Sequence, residues 1–204
     1  MKKYFLVLTF SIFAFTSCKK DNVTKNNSIF PNTIGNHWHY KYTASGAATS
    51  YIDVDIIGQA TLPDGQNAKI WAYKILSYTD TTYVVSDDQL VKIYDNPCWT
   101  CTTQMPYERQ RYLLPLQTGN FWFTNSIFGD TTKVITQSPL TVPAGTFENT
   151  YELLKKRGYV TNSWTSNQIW LTPNVGLTKR NQGEYRLGPL LGNGLWELDN
   201  YSLR

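Results

Sequence analysis

One turn-and-strand phrase occurs twice in this chain, and it limits what the chain can fold into. Pro31-Asn-Thr-Ile-Gly35-Asn36-His37-Trp38 returns as Pro115-Leu-Gln-Thr-Gly119-Asn120-Phe121-Trp122, and each copy runs on into further aromatic residues. Gly-Asn is turn chemistry, and the Trp-centred run after it has the bulky side chains that strands favour. Three further landmarks recur in the same order. Leu62-Pro63-Asp64-Gly65 matches Val142-Pro143-Ala144-Gly145, Tyr83-Val-Val-Ser matches Ile169-Trp-Leu-Thr, and Glu108 with Tyr112 matches Glu197 with Tyr201. The offsets of these four landmarks are 84, 80, 86 and 89 residues. An ordered set with so little drift marks a duplicated half of about 85 residues.

Each half reads as short strands cut by turns at Gly-Asn, Asp-Gly, Asp-Asp and Pro-Asn. Ile52, Val54 and Ile56 alternate with Asp53 and Asp55, the period-two pattern of a strand with one wet face. The nearest approach to a helix, Tyr151 to Lys156, is too short to stand as one. Ten to twelve antiparallel strands must bury a face, so the expected fold is all-β: a curled antiparallel sheet or half-barrel.

The first seventeen residues have the layout of a secretory leader, with Lys2 and Lys3, an apolar run from Tyr4 to Phe15, and the small pair Thr16-Ser17 before Cys18. The apolar run is too short to span a bilayer. A cysteine directly after the small residues resembles the lipidation site of bacterial lipoproteins, which would make Cys18 the anchored first residue. Residues 18–28 then form a polar tether. Residues 29–204 form a single all-β domain with pseudo-repeats 29–113 and 114–204. The full chain carries 19 basic and 15 acidic residues, a net charge of +4. Losing Lys2 and Lys3 with the leader leaves +2 and no basic run, which excludes nucleic acid as a partner.

Val142-Pro-Ala-Gly-Thr-Phe147, Ile169-Trp170 and Asn174-Val175-Gly176-Leu177-Thr178-Lys179, taken with the early Gly-Asn-x-Trp, resemble a group of small Bacteroidota-type lipoproteins. The resemblance spans nearly all of residues 29–204, but it rests on turn residues. It implies the curled sheet of periplasmic lipoprotein carriers and a place at the outer membrane, and it brings no activity. The family pattern has Gly where this chain has Asn174, and Asn also accepts a left-handed conformation.

Residues able to carry chemistry are few. Cys98 and Cys101 are an even pair once Cys18 is lipidated, and a disulfide stapling a loop is the expected reading. A redox role would need a helix N-terminus that this chain does not offer. His37 and His39 share one face of a strand, opposite Trp38. With Cys98 and Cys101 they could complete a zinc site. Phe121 and Phe123 occupy the matching places in the second copy, so ordinary packing is expected and no metal. Asp53 with Asp55, and Asp87 with Asp88, are placed where solvation alone would put them. No catalytic residues and no cofactor are expected. Asp80-Thr81-Thr82 and Asp130-Thr131-Thr132 resemble a short O-glycosylation acceptor pattern, with Thr81 and Thr131 as acceptors.

These features describe an outer-membrane lipoprotein, held to the membrane by its lipid and not an enzyme. Two roles fit: binding an apolar or glycan ligand in the concave sheet, or serving as a structural or accessory subunit of an outer-membrane assembly. The sequence names neither a protein partner nor a small-molecule partner.

Overall fold

Among the described residues, alternation and turn chemistry produce twelve strands in one sheet. They are β1 His37–Ala44, β2 Ser50–Thr61, β3 Asn67–Ile75, β4 Tyr78–Ser86, β5 Leu90–Asp95 and β6 Glu108–Leu113 in the first half. The second half supplies β7 Phe121–Asn125, β8 Asp130–Val142, β9 Gly145–Arg157, β10 Thr165–Thr172, β11 Gly176–Gln182 and β12 Gly194–Ser202. The computed structural model describes residues 28–44, 48–95, 108–125, 129–157, 165–182 and 194–204. Tyr151 to Lys156 lies inside β9. Among the described residues no helix is long and apolar enough to cross a membrane.

Each half is a six-strand antiparallel meander, and β1 pairs with β12, so the order is β6-β5-β4-β3-β2-β1-β12-β11-β10-β9-β8-β7. The sheet curls into a nearly closed barrel whose two edges, β6 and β7, are neighbours in sequence. Side chains tie this seam. Trp122 Nε1 donates to the Arg111 carbonyl at 2.9 Å, and Lys155 Nζ donates to the Arg109 carbonyl at 3.2 Å.

The duplication is written in the backbone. Gly35 N donates to the Ile56 carbonyl at 2.9 Å and Ile56 N returns a bond to Asn36 O at 3.0 Å. In the second half Gly119 N donates to Val134 O at 2.9 Å and Val134 N to Asn120 O at 2.9 Å. The two halves also exchange their lead-in segments. Asn174 N, in the β10–β11 turn, donates to Ser28 O at 2.8 Å, while Leu114 N donates to Gln89 O, in the β4–β5 turn, at 2.7 Å. Each half thus braces the other at the same end of the barrel. In that end's β10–β11 turn, Asn174 takes a φ of +62° and Gly176 a φ of +93°, the left-handed geometry that Asn and Gly accept most readily.

Inward-facing side chains fill the barrel. Trp38, Tyr40, Ile52, Val54, Ile56, Trp71, Val134, Leu153, Ile169, Leu171, Trp196 and Leu198 belong to one buried cluster. Trp38 stacks on Trp71 with ring centroids 5.1 Å apart, and its Nε1 donates to the Val175 carbonyl at 2.6 Å. The halves part company at their long hairpins. The tip of β2–β3 places Leu62 in a separate small cluster with Ala68 and Tyr94. The tip of β8–β9 instead reaches β12, where Ala144 N donates to the Leu198 carbonyl at 2.9 Å, and Val142 and Phe147 join the main core.

Candidate functional site

The exchange of lead-in segments leaves a cleft of about 870 Å³ at the end of the barrel carrying the β4–β5 and β10–β11 turns. Ile29, Phe30 and Leu116, all from the lead-ins, form part of its apolar wall together with Val91 and Val175. The aromatic rings of Phe147, Tyr151 and Tyr201 line another part, with Phe147 and Tyr201 6.2 Å apart. Asp87, Asp88 and Glu148 supply carboxylates, and Gln137, Asn149 and Asn174 supply amides. Among the described residues, none that lines the cleft is Lys, Arg or His. Asp87 also shapes its own turn, its Oδ1 accepting from Gln89 N and Leu90 N at 2.8 Å each.

A second polar cluster lies on the outer face of the first half. His37 and His39 alternate with buried Trp38 and point outward together, as their spacing requires. Directly across on β2, Asp55 faces His37 and Asp53 faces His39. His37 Nδ1 is 2.8 Å from Asp55 Oδ1, and His39 Nδ1 is 2.6 Å from Asp53 Oδ1. Lys74 Nζ donates to Asp55 Oδ2 at 2.9 Å, and Tyr51 stacks on His39 at 4.9 Å. Burial alone would push the Asp55 carboxyl up, but hydrogen bonds from Lys74 and His37, with their charges, hold it below its ordinary value.

A third cluster sits inside the barrel and left no mark in the sequence. Arg109 pairs with Asp95 at 3.0 Å, and the Arg180 guanidinium lies 5.7 Å from the Trp196 ring centre with its Nε unbonded. Burial, and then the neighbouring Arg109, bring Arg180 down to about 10. Inward-facing Arg on a strand looks in sequence like any solvated charge, so only the curl of the sheet reveals it. Burial likewise pushes the Asp95 carboxyl above its ordinary value, against the pull of Arg109.

The Asp95 shift gives a signed prediction. Because the folded value is raised, the folded state holds the extra proton, and this group's contribution to stability falls as pH rises from about 4 through the folded value. Asp95→Asn should remove that slope. In urea titrations between about pH 4 and 7, the wild type should lose stability relative to the variant as pH rises; a constant difference would contradict it.

Among the other expected sites, Thr81 lies in β4 and Thr131 in β8, strands that are paired on both sides. Each Thr is half-buried, and the next residue, Thr82 or Thr132, is fully buried. Cys18, Cys98 and Cys101 lie outside the described residues. The two acidic pairs stay apart, Asp53 and Asp55 on the outer face of β2 and Asp87 and Asp88 at the cleft.

Two solved structures resemble this chain. One, described as an exported protein with a YmcC-like fold from Bacteroides fragilis NCTC 9343, superposes with a TM-score of 0.50 at 15% identity, covering 85% of this chain and 98% of its own. The other, described as a lipoprotein from Parabacteroides distasonis ATCC 8503, gives a TM-score of 0.44 at 16% identity, over 85% of this chain and 98% of its own. No protein-family model and no curated protein matches the chain. At such identities the first likeness speaks for architecture alone. The chain therefore shares the YmcC-like fold: an all-β, nearly closed antiparallel barrel assembled from a duplicated half.

Proposed function

We propose that this chain is a non-enzymatic lipoprotein, anchored in the outer membrane through Cys18, that binds a neutral glycan in the cleft at the braced end of the barrel. The lining of that cleft carries the reading. Rings of Phe147, Tyr151 and Tyr201 offer faces for sugar rings, while carboxylates and amides accept and donate to hydroxyls. With three acids and no base among its described residues, the lining disfavours phosphate and carboxylate groups. Its volume lies in the range of small-ligand sites. The leader and Cys18 supply the anchor, and the exported B. fragilis protein of the same fold agrees with export. With Cys18 lipidated, the ten residue steps from Cys18 to Ser28, which lines the cleft, would keep the opening within about 35 Å of the lipid.

Calorimetry of the full-length lipoprotein in detergent against a panel of neutral oligosaccharides tests this. Saturable binding is expected to at least one of them. Tyr201→Ala should weaken it about tenfold, the loss of roughly 1.4 kcal/mol of ring contact. A panel with no saturable binding overturns the reading.

One observation favours a second role, as an accessory subunit of an outer-membrane assembly. At the seam, Phe121 and Phe123 of β7 are 54% and 59% exposed, with Ile135 of β8 and Leu113 of β6 also exposed. An apolar patch beside unpaired strand edges suits a protein partner. Reproducible co-purification from native membranes, abolished by Phe121→Ser with Phe123→Ser, would establish that role.

A further inference from the structure

The outer-face cluster has the composition and spacing that a metal ion requires, and the duplicated half supplies an internal control. The matching hydrogen bonds of Ile56 and Val134 align β2 with β8, so Asp53 and Asp55 correspond to Thr131 and Lys133. His37 and His39 correspond to Phe121 and Phe123. The fold is thus built a second time with none of these four polar groups at the same places. Nothing in the barrel's construction calls for two imidazoles opposite two carboxylates.

We infer that His37, His39 and Asp53 form a binding site for a divalent transition-metal ion of the zinc class, with Asp55 and Lys74 as the supporting layer. One donor atom from each of the three ligands can be chosen so that all lie within 4.8 Å of one another. His37 Nε2 stands 3.8 Å from Asp53 Oδ1, a gap that an ion about 2.0–2.1 Å from each atom can bridge. The hydrogen bond between His37 Nδ1 and Asp55 leaves Nε2 as the ligating nitrogen, the arrangement in which a carboxylate orients a metal-bound imidazole. Lys74 fixes Asp55 in turn. His39 and Asp53, 2.6 Å apart, exchange their mutual hydrogen bond for two bonds to the ion. Two nitrogens and one oxygen suit zinc, copper or nickel, and disfavour calcium and magnesium, which prefer all-oxygen sets. The ligands are 25–41% exposed, so the ion enters from solvent and the fourth position is open to water.

The test is calorimetry of the full-length lipoprotein in detergent, stripped of metal, titrated with Zn²⁺ alone. About one equivalent should bind through these residues. Asp55→Asn should weaken binding about tenfold, as loss of an orienting partner does, and His37→Phe with His39→Phe by more than about a hundredfold. Phe occupies both places in the second half, so the double variant keeps a side chain that this strand pair accepts, and circular dichroism checks its fold. Retention of binding in Cys98→Ser with Cys101→Ser completes the support. The site is overturned if no saturable zinc uptake occurs, if uptake survives unchanged in the double histidine variant, or if it disappears with the cysteines instead.

Discussion

Replacing Trp38 with alanine is expected to lower the unfolding free energy by about 4 kcal/mol, the range for deleting a buried tryptophan. Trp38 is 1% exposed, stacks on Trp71 and donates its Nε1 proton to the Val175 carbonyl. The substitution therefore opens a cavity, removes a ring pair and orphans a carbonyl in one step. That carbonyl belongs to the β10–β11 turn of the other half, so Trp38 joins the two copies as well as filling one. Urea unfolding followed by far-ultraviolet circular dichroism should show a lower midpoint with an unchanged slope. Trp38→Phe should recover more than half of the loss. Trp122→Ala, at the matching place in the second half, should cost about 1 kcal/mol less than Trp38→Ala. It stands at the open seam, and among the described residues it makes no ring pair like that of Trp38 with Trp71. A Trp38→Ala variant within 1 kcal/mol of wild type would remove Trp38 from its place at the centre of the fold.

The architecture was legible because its determinants are local. Gly35 and Gly119 take φ of +90° and +93°, and the turns they make start strands whose inward residues alternate visibly in the sequence. Four ordered landmarks reveal the duplication, and they fall on matching strands: Tyr83 in β4 against Ile169 in β10, and Glu108 in β6 against Glu197 in β12. The place of Asn174 in a left-handed turn could be read from residue type alone. Nothing local says how two meanders join. The β1–β12 pairing is zipped while the corresponding β6–β7 edges are held by Trp122 and Lys155 side chains, and no turn or periodicity encodes that difference. The cleft was hidden for the same reason. Its walls come from Phe30, Asp87, Leu116, Phe147 and Tyr201, residues spread over most of the chain. The shared face of His37 and His39 was readable from spacing. Their partners were not, because whether Asp55 or Asp53 lies opposite His37 depends on the register between β1 and β2.

The Gly-Asn pair offers the sharper test of how far the two copies have diverged, since Asn36 and Asn120 hold one motif in two environments. Both share the same backbone exchange with the neighbouring strand, and both side-chain amides point back to the proline that opens the motif. Asn36 Nδ2 reaches the Pro31 carbonyl at 3.1 Å, while Asn120 Nδ2 stands 3.4 Å from that of Pro115. Asn36 is 1% exposed, and its Oδ1 also accepts from Arg204 N at 2.9 Å, tying the last residue of β12's extension to the first turn of β1. Asn36→Ala leaves the Pro31 carbonyl and the Arg204 amide without this partner in part-buried surroundings, a cost of about 1–2 kcal/mol. Asn120→Ala removes one long, solvent-accessible bond and should cost roughly 0.5 kcal/mol. Chemical denaturation of the two variants side by side measures the gap directly. Equal losses would mean that the motif acts through its turn alone, and that the bond to Arg204 contributes nothing to closing the sheet.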